Sequence, residues 1–205
     1  MKHSVVRLFD YSIISLALCA TGCFNEPEPA YKTVPAANRV YLQEKGLKTV
    51  PQVVATADYL NLDRNQLESA AGVEKLSELK WLRLNENKLT SLPDLSALKN
   101  LRRIYLRDNR LTAVPETLKD LPALTDIELS GNPIKTVPNW LAEKRGLENV
   151  SLNRTQITAL PEDLSAWKSL KTLQLGDLQL DPGEMARIRA AFDPKSNPLG
   201  TAVVF

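Results

Sequence analysis

Hydrophobic residues recur through the middle of this chain in one fixed register. Residues 79–89 read LKWLRLNENKL, residues 101–111 read LRRIYLRDNRL and residues 124–134 read LTDIELSGNPI. Each block follows L-x-x-L-x-L-x-x-N-x-L, with Ile admitted for Leu, and the blocks start 22 and 23 residues apart. Leu82 and Leu84 alternate with Arg83, which is the period of a strand with one buried face. A Leu-Pro or Val-Pro pair follows each block. Self-similarity at a fixed period of this length predicts a solenoid, with one strand per copy stacked about 4.8 Å apart in a parallel sheet.

Weaker copies extend the register both ways. Ala57, Leu60, Leu62, Asn65 and Leu67 fit upstream, as do Ala37, Val40, Leu42 and Leu47 with Lys45 in the Asn slot. Leu147, Val150, Leu152 and Ile157 fit downstream with Thr155 in that slot, and Leu170, Leu173, Leu175 and Leu180 fit with Leu178 there. The expected array is therefore seven copies. Asn65, Asn87, Asn109 and Asn132 stand where the chain turns off the strand. An inward Asn carries both a carbonyl and an amide for turn backbone groups that would otherwise be buried unpaired. Thr155 can do part of this and Leu178 none. Pro51, Pro93, Pro115, Pro138 and Pro161 mark a return leg, since Pro is tolerated in the first turn of a helix. Leu118, Leu141 and Leu164 follow three residues later, so short helices or 3₁₀ turns with an inward Leu are expected there.

These blocks resemble the leucine-rich repeat family, whose bacterial and plant-like form reads LxxLxLxxNxLTxLPxxLxxL. Residues 79–98 read LKWLRLNENKLTSLPDLSAL, one residue shorter in the return leg. The resemblance covers roughly residues 37–181. It implies an α/β solenoid with a concave parallel sheet, and a role in binding other macromolecules. A fold alone names no partner.

The two ends differ from the array. Lys2 and Arg7 precede a short apolar run, IISLALCA, which is too short to span a bilayer but suits a signal-peptide core. It closes on Ala20-Thr21-Gly22-Cys23, which resembles the lipobox of bacterial lipoproteins. That resemblance implies a leader over residues 1–22 and lipidation at Cys23, although Ala20 replaces the usual Leu and Asp10 interrupts the early region. A secreted protein cut at the same small residues, or a buried N-terminal helix, is the alternative. Residues 23–36 are polar and proline-bearing and read as a tether, with a reach of at most about 40 Å. Phe24 takes the place where lipoproteins retained in the inner membrane commonly carry Asp, so the resemblance implies the outer membrane. Residues 182–205 are expected to close the far end. Asp181 is the expected helix cap, with Pro182 first and Glu184 three after the cap, and the helix should lean on the core through Met185, Ile188 and Phe192. Residues 201–205 can add a last strand, which would cover an otherwise sticky sheet edge.

Composition narrows the function. The chain has 205 residues, 43% apolar and 24% charged, as befits one soluble domain plus a leader. A net charge of +2 is too balanced to point to nucleic acid. The single His is His3, and removal of the leader takes it away together with Cys19. What remains offers no His for acid–base work or metal ligation, and no Cys but Cys23. No glycine-rich phosphate loop is present. No cofactor, metal or catalytic role is expected. Asp126 and Glu128 share a strand face and are expected to be solvated there.

The x positions of each strand should face the concave surface. Tyr59, Trp81 and Arg103 then fall in one column, Arg83 and Tyr105 in the next, and Arg107 in a third. Tyr, Trp and Arg dominate interface energetics, so these six residues are the expected partner-binding patch. The competing reading is that Tyr59 and Trp81 stack on each other beneath Arg103 through a cation–π contact. Asp126 and Glu128 reverse the sign of the face beyond them. The expected protein is a monomeric, lipid-anchored binding module of the cell envelope with a protein partner. Glycan or peptidoglycan recognition is the alternative. Trp167 takes a core Leu slot, and Trp140 should lie exposed on the convex side.

Overall fold

The computed structural model describes residues 38–205 apart from 54, 194–196 and 198–199. The proposed leader, the tether and Cys23 lie outside the described residues. Eight strands of three residues each form one sheet: β1 (Arg39–Tyr41), β2 (Tyr59–Asn61), β3 (Trp81–Arg83), β4 (Arg103–Tyr105), β5 (Asp126–Glu128), β6 (Asn149–Ser151), β7 (Thr172–Gln174) and β8 (Ala202–Val204). The sheet is parallel throughout and its spatial order is the chain order. β1 to β7 fall on the seven expected copies, and β8 comes from the segment after them.

The register keeps every inward side chain stacked on its equivalent. Leu60, Leu82, Ile104, Ile127, Val150 and Leu173 pair in succession. Two residues on, Leu62, Leu84, Leu106, Leu129, Leu152 and Leu175 form a second buried row. The ladder continues through this row, where Leu84 N–H donates to Tyr105 O at 2.8 Å and Leu106 N–H to Glu128 O at 2.9 Å. Each fully buried aliphatic side chain contributes about 1.5–3 kcal/mol, so the stack of repeats is the main source of stability.

The Asn column staples each turn to the repeat before it. Asn87 Nδ2 donates to Leu84 O at 3.1 Å in its own turn and to Leu62 O at 3.0 Å in the previous repeat. Its Oδ1 accepts Leu67 N–H at 3.0 Å. Asn65, Asn109 and Asn132 repeat the pattern. Thr155 manages one such bond, to Leu152 O at 2.9 Å.

The return legs that carry Leu118, Leu141 and Leu164 form the short helices or 3₁₀ turns that their spacing predicts. Short 3₁₀ turns occur at Val73–Lys75, Glu116–Leu118 and Ser165–Ser169, and one short helix, α1, at Asn139–Glu143. Pro115 and Pro138 are not in the first turn of these elements. They are extended caps, with ψ of 121° and 147°. Their fixed φ suits the end of an extended arm, from which the short helical element then starts. Leu118, Leu141 and Leu164 do point inward and are buried.

α2 (Pro182–Ala191) begins as its sequence predicts, with Asp181 accepting Glu184 N–H at 2.8 Å. Ile188 and Phe192 are buried, while Met185 is half-buried. The Glu184 side chain does not return to its own cap. Its Oε1 accepts Leu160 N–H at 2.8 Å, and Arg187 joins it while donating to Leu160 O at 3.0 Å and Pro161 O at 3.2 Å. An exposed cap has water to satisfy it, whereas the return leg of the neighbouring repeat offers bare backbone groups. Trp167 is fully buried and its indole donates to Leu141 O at 2.9 Å. Trp140 differs from its expected exposure. It is half-buried against the core, with its indole on Glu116 Oε1 at 2.9 Å.

Candidate functional site: the concave face

Side chains next to the inward Leu positions emerge on the opposite face of the sheet, because successive Cβ atoms alternate. Strand register sets two of the predicted columns directly. One runs Arg39, Tyr59, Trp81, Arg103, Asp126, Asn149, Thr172, and the other Tyr41, Asn61, Arg83, Tyr105, Glu128, Ser151, Gln174.

The six predicted binding residues converge, but five of them are engaged with one another and Arg107 is held by Glu86. Tyr59 and Trp81 rings lie 5.9 Å apart and tilted, and Arg103 Cζ sits 4.6 Å from the Trp81 ring. Arg83 Cζ is 5.3 Å from the Tyr105 ring. Tyr59 is 4% exposed and Trp81 8%, so neither is an open platform, and the cation–π stack weighed against the binding patch is present. The four remaining residues, Arg83, Arg103, Tyr105 and Arg107, are half-buried and supply the accessible part of the cluster.

Acids that the sequence reading left out of the patch hold these arginines. Arg83 Nε is 2.7 Å from Asp63 Oδ2, and Asp63 Oδ1 also accepts Asn85 N–H at 2.8 Å. Arg107 Nη2 is 2.7 Å from Glu86 Oε1, and Arg103 Nε is 3.6 Å from Asp126 Oδ2. Arg64, Glu86, Asp63, Arg83, Arg107 and Gln43 line a polar depression of about 420 Å³ beside β1–β4. Tyr41, 47% exposed with its ring 5.2 Å from Tyr59, extends the aromatic run toward the sheet edge. The signal for it was its place in the middle column beside Tyr59.

A further column went unnoticed in the sequence. The residue immediately before each Asn slot adopts positive φ: Glu44, Arg64, Glu86, Asp108, Arg154 and Asp177 at 53° to 58°, and Gly131 at 69°. Such a corner costs a non-glycine residue about 1 kcal/mol or more, which the stacked repeats offset. Its signal was a charged residue preceding nearly every Asn slot. The charges form a ribbon along the turn: Arg64 reaches Glu44 at 2.7 Å and Glu86 at 3.3 Å. At Gly131 the ribbon skips a repeat, and Arg154 Nη2 meets Asp108 Oδ1 at 3.1 Å.

The second half of the face is polar and closed. Asp126 and Glu128 are not solvated as predicted. Asp126 is 9% exposed and Glu128 3%, because each sits between longer or hydrogen-bonded neighbours on adjoining strands. Asp126 Oδ1 accepts from Asn149 Nδ2 at 2.7 Å. Glu128 Oε1 accepts Ser130 N–H at 2.8 Å. Ser130 and Ser151 hydroxyls lie 2.6 Å apart, and Ser151 passes its bond on to Gln174 Oε1 at 3.0 Å. Burial pushes the Glu128 carboxyl above the usual carboxylate range and the Tyr105 phenol above its ordinary value.

Residues 77–134, which carry β3, β4 and β5 with three of the four Asn turns, match the family model for the leucine rich repeat. No curated relative matches the chain. The eight-stranded parallel sheet fits the solenoid of that repeat, and the repeat carries a capacity for protein interaction.

Proposed function

We propose that this protein is a non-enzymatic binding module that takes a protein partner on its concave face, anchored to a cell envelope through a lipid on Cys23. The observation that carries the binding reading is the run Tyr41–Tyr59–Trp81–Arg103 with Arg83, Tyr105 and Arg107 beside it. These residue types concentrate binding energy, and their mutual packing pre-orders the side chains, so less rotamer entropy is lost on association. Burial of the Tyr59 and Trp81 rings also favours a protein over a glycan, which needs an open ring to stack on.

The anchor rests on residues 1–23. Their basic start, short apolar run and small residues before Cys23 suit lipidation at an envelope, with Phe24 favouring the outer membrane. Among the described residues no helix is long and apolar enough to cross a membrane.

Two measurements test this reading. Cys23→Ser should move the protein from the membrane to the soluble fraction, and an unchanged distribution overturns the anchor. Trp81→Ala combined with Arg103→Ala should abolish capture of envelope protein by the purified domain while urea unfolding stays cooperative. Undiminished capture means that another face binds. Recovery of glycan without protein would support the alternative ligand.

A further inference from the structure

Strand β5 carries two acids on the concave face, on either side of Ile127, which points into the core. Asp126 is provided for. It has Arg103 at 3.6 Å, Asn149 at 2.7 Å and the Thr125 hydroxyl as a further donor. Glu128 is not. One oxygen takes the Ser130 N–H at 2.8 Å, while Oε2 is buried without a hydrogen-bond partner.

The neighbouring donors are committed elsewhere. Arg103 lies over Trp81 and beside Asp126, and Arg107 is held at 2.7 Å by Glu86 and at 3.5 Å by Asp108. Ser151 donates to Gln174 Oε1 at 3.0 Å, and Asn153 Nδ2 donates to the same oxygen at 3.0 Å. The Ser130 and Ser151 hydroxyls also reach the Glu128 carboxyl and the Arg107 charge favours its ionised form, yet burial outweighs them and Oε2 itself keeps no hydrogen-bond partner.

We propose that Glu128 Oε2 anchors a cation subsite at the centre of the concave face, taking a lysine ammonium or an arginine guanidinium from the protein partner. This deepens the concave-binding reading and rests on it. An oxygen that folding has already withdrawn from bulk solvent adds little desolvation cost on association, so an incoming cation gains a charge-assisted bond there. Tyr105 stands opposite Glu128 in register and is half-buried, so its rotation is the movement that admits the ligand.

Proton linkage follows. Burial favours the neutral carboxyl in the free protein. At a pH where the free carboxyl is protonated, cation binding breaks its O–H bond, the electron pair stays on Oε2, and the proton passes to solvent. The groups facing Glu128 are Arg103, Tyr105 and Arg107 from β4 and its following turn, and Asp126 on its own strand. β6, β7 and their turns present the uncharged Asn149, Ser151, Asn153 and Gln174.

The test uses the full chain with n-butylguanidinium as the probe and n-butylurea as the neutral control. Carbon-13 detection of the Glu128 carboxyl across a pH titration should show its midpoint falling by one pH unit or more at saturating probe, a tenfold change, and staying put with the urea. Glu128→Gln keeps an oxygen for the Ser130 N–H and should weaken probe binding at least tenfold, read from the Ser151 and Asn153 amides. A Glu128 midpoint that the probe leaves unmoved overturns the proposal, as does equal probe binding by Glu128→Gln. The concave reading is separable: envelope-protein capture that survives Glu128→Gln but not the Trp81/Arg103 double variant overturns the subsite alone.

Discussion

Replacing Asn87 with alanine removes four hydrogen bonds at once. Its Nδ2 serves Leu62 O at 3.0 Å, Leu84 O at 3.1 Å and Asn85 O at 3.1 Å, and its Oδ1 serves Leu67 N–H at 3.0 Å. None of these groups has ready access to water, because Leu62, Leu67 and Leu84 are fully buried. An orphaned buried group costs about 1–3 kcal/mol, and the carbonyls retain a second bonding partner in part, so the loss should be about 4 kcal/mol. Thr155→Ala removes one bond, to Leu152 O, and should cost about 1 kcal/mol. With a urea slope of about 2 kcal/mol/M, the midpoint falls by about 2 M for Asn87→Ala and about 0.5 M for Thr155→Ala. Asn87→Asp is the sharper variant. It keeps the shape but turns a carboxylate oxygen toward three carbonyls, so it should be at least as damaging as alanine. A midpoint shift for Asn87→Ala no larger than that for Thr155→Ala, or an Asp variant close to wild type, would refute the stapling role of this column.

Four further outcomes follow from the structure. Gly131→Ala places a Cβ 2.0 Å from Asp108 Oδ1 at a φ of 69°, so unfolding should show a loss of about 1 kcal/mol, with only part recovered by adding Asp108→Ala, since the backbone penalty remains. The hydrogen bonds from Arg187 hold the Glu184 carboxyl below its ordinary range; its contribution is present above the unfolded pKa near 4.5 and fades as pH falls through the folded value, so Glu184→Gln should flatten the acid limb of a stability–pH curve. Glu128 has the opposite sign: with its folded pKa raised, its contribution is full below that same unfolded value and is lost as pH rises through the folded one, so Glu128→Gln should gain stability over wild type at pH 8 relative to pH 4. Trp167→Ala empties a fully buried slot and leaves Leu141 O with only the Lys144 N–H, which should cost about 3–5 kcal/mol in thermal or urea unfolding.

The stack of repeats could be read from the chain because it rests on local spacing. Leu82, Leu84 and Asn87 sit at offsets that a strand followed by a turn requires, and the strand register then follows repeat by repeat. Trp167 was placeable for the same reason, since it takes a slot that Leu fills elsewhere. The concave face was readable as columns but not as a surface. Whether Trp81 is open depends on how far Arg103 folds back from the next repeat, and whether Glu128 is wet depends on Tyr105 and Ser151 at its sides. Those are packing outcomes between residues about 22 apart, and no periodicity encodes them. Trp140 was misjudged on the same ground, because its partner, Glu116, lies one repeat away. The left-handed corner column left a charge pattern in the sequence, but charge before an Asn does not announce a positive φ.

The most direct measurement of concave binding is photo-crosslinking in intact cells from two positions, one on each face. An azidophenylalanine side chain replaces Tyr105 with little change of shape, and Lys119 is exposed on the convex side. Binding on the concave face predicts one envelope protein captured from position 105 and not from position 119. Equal capture from both positions, or capture from position 119 alone, would contradict it.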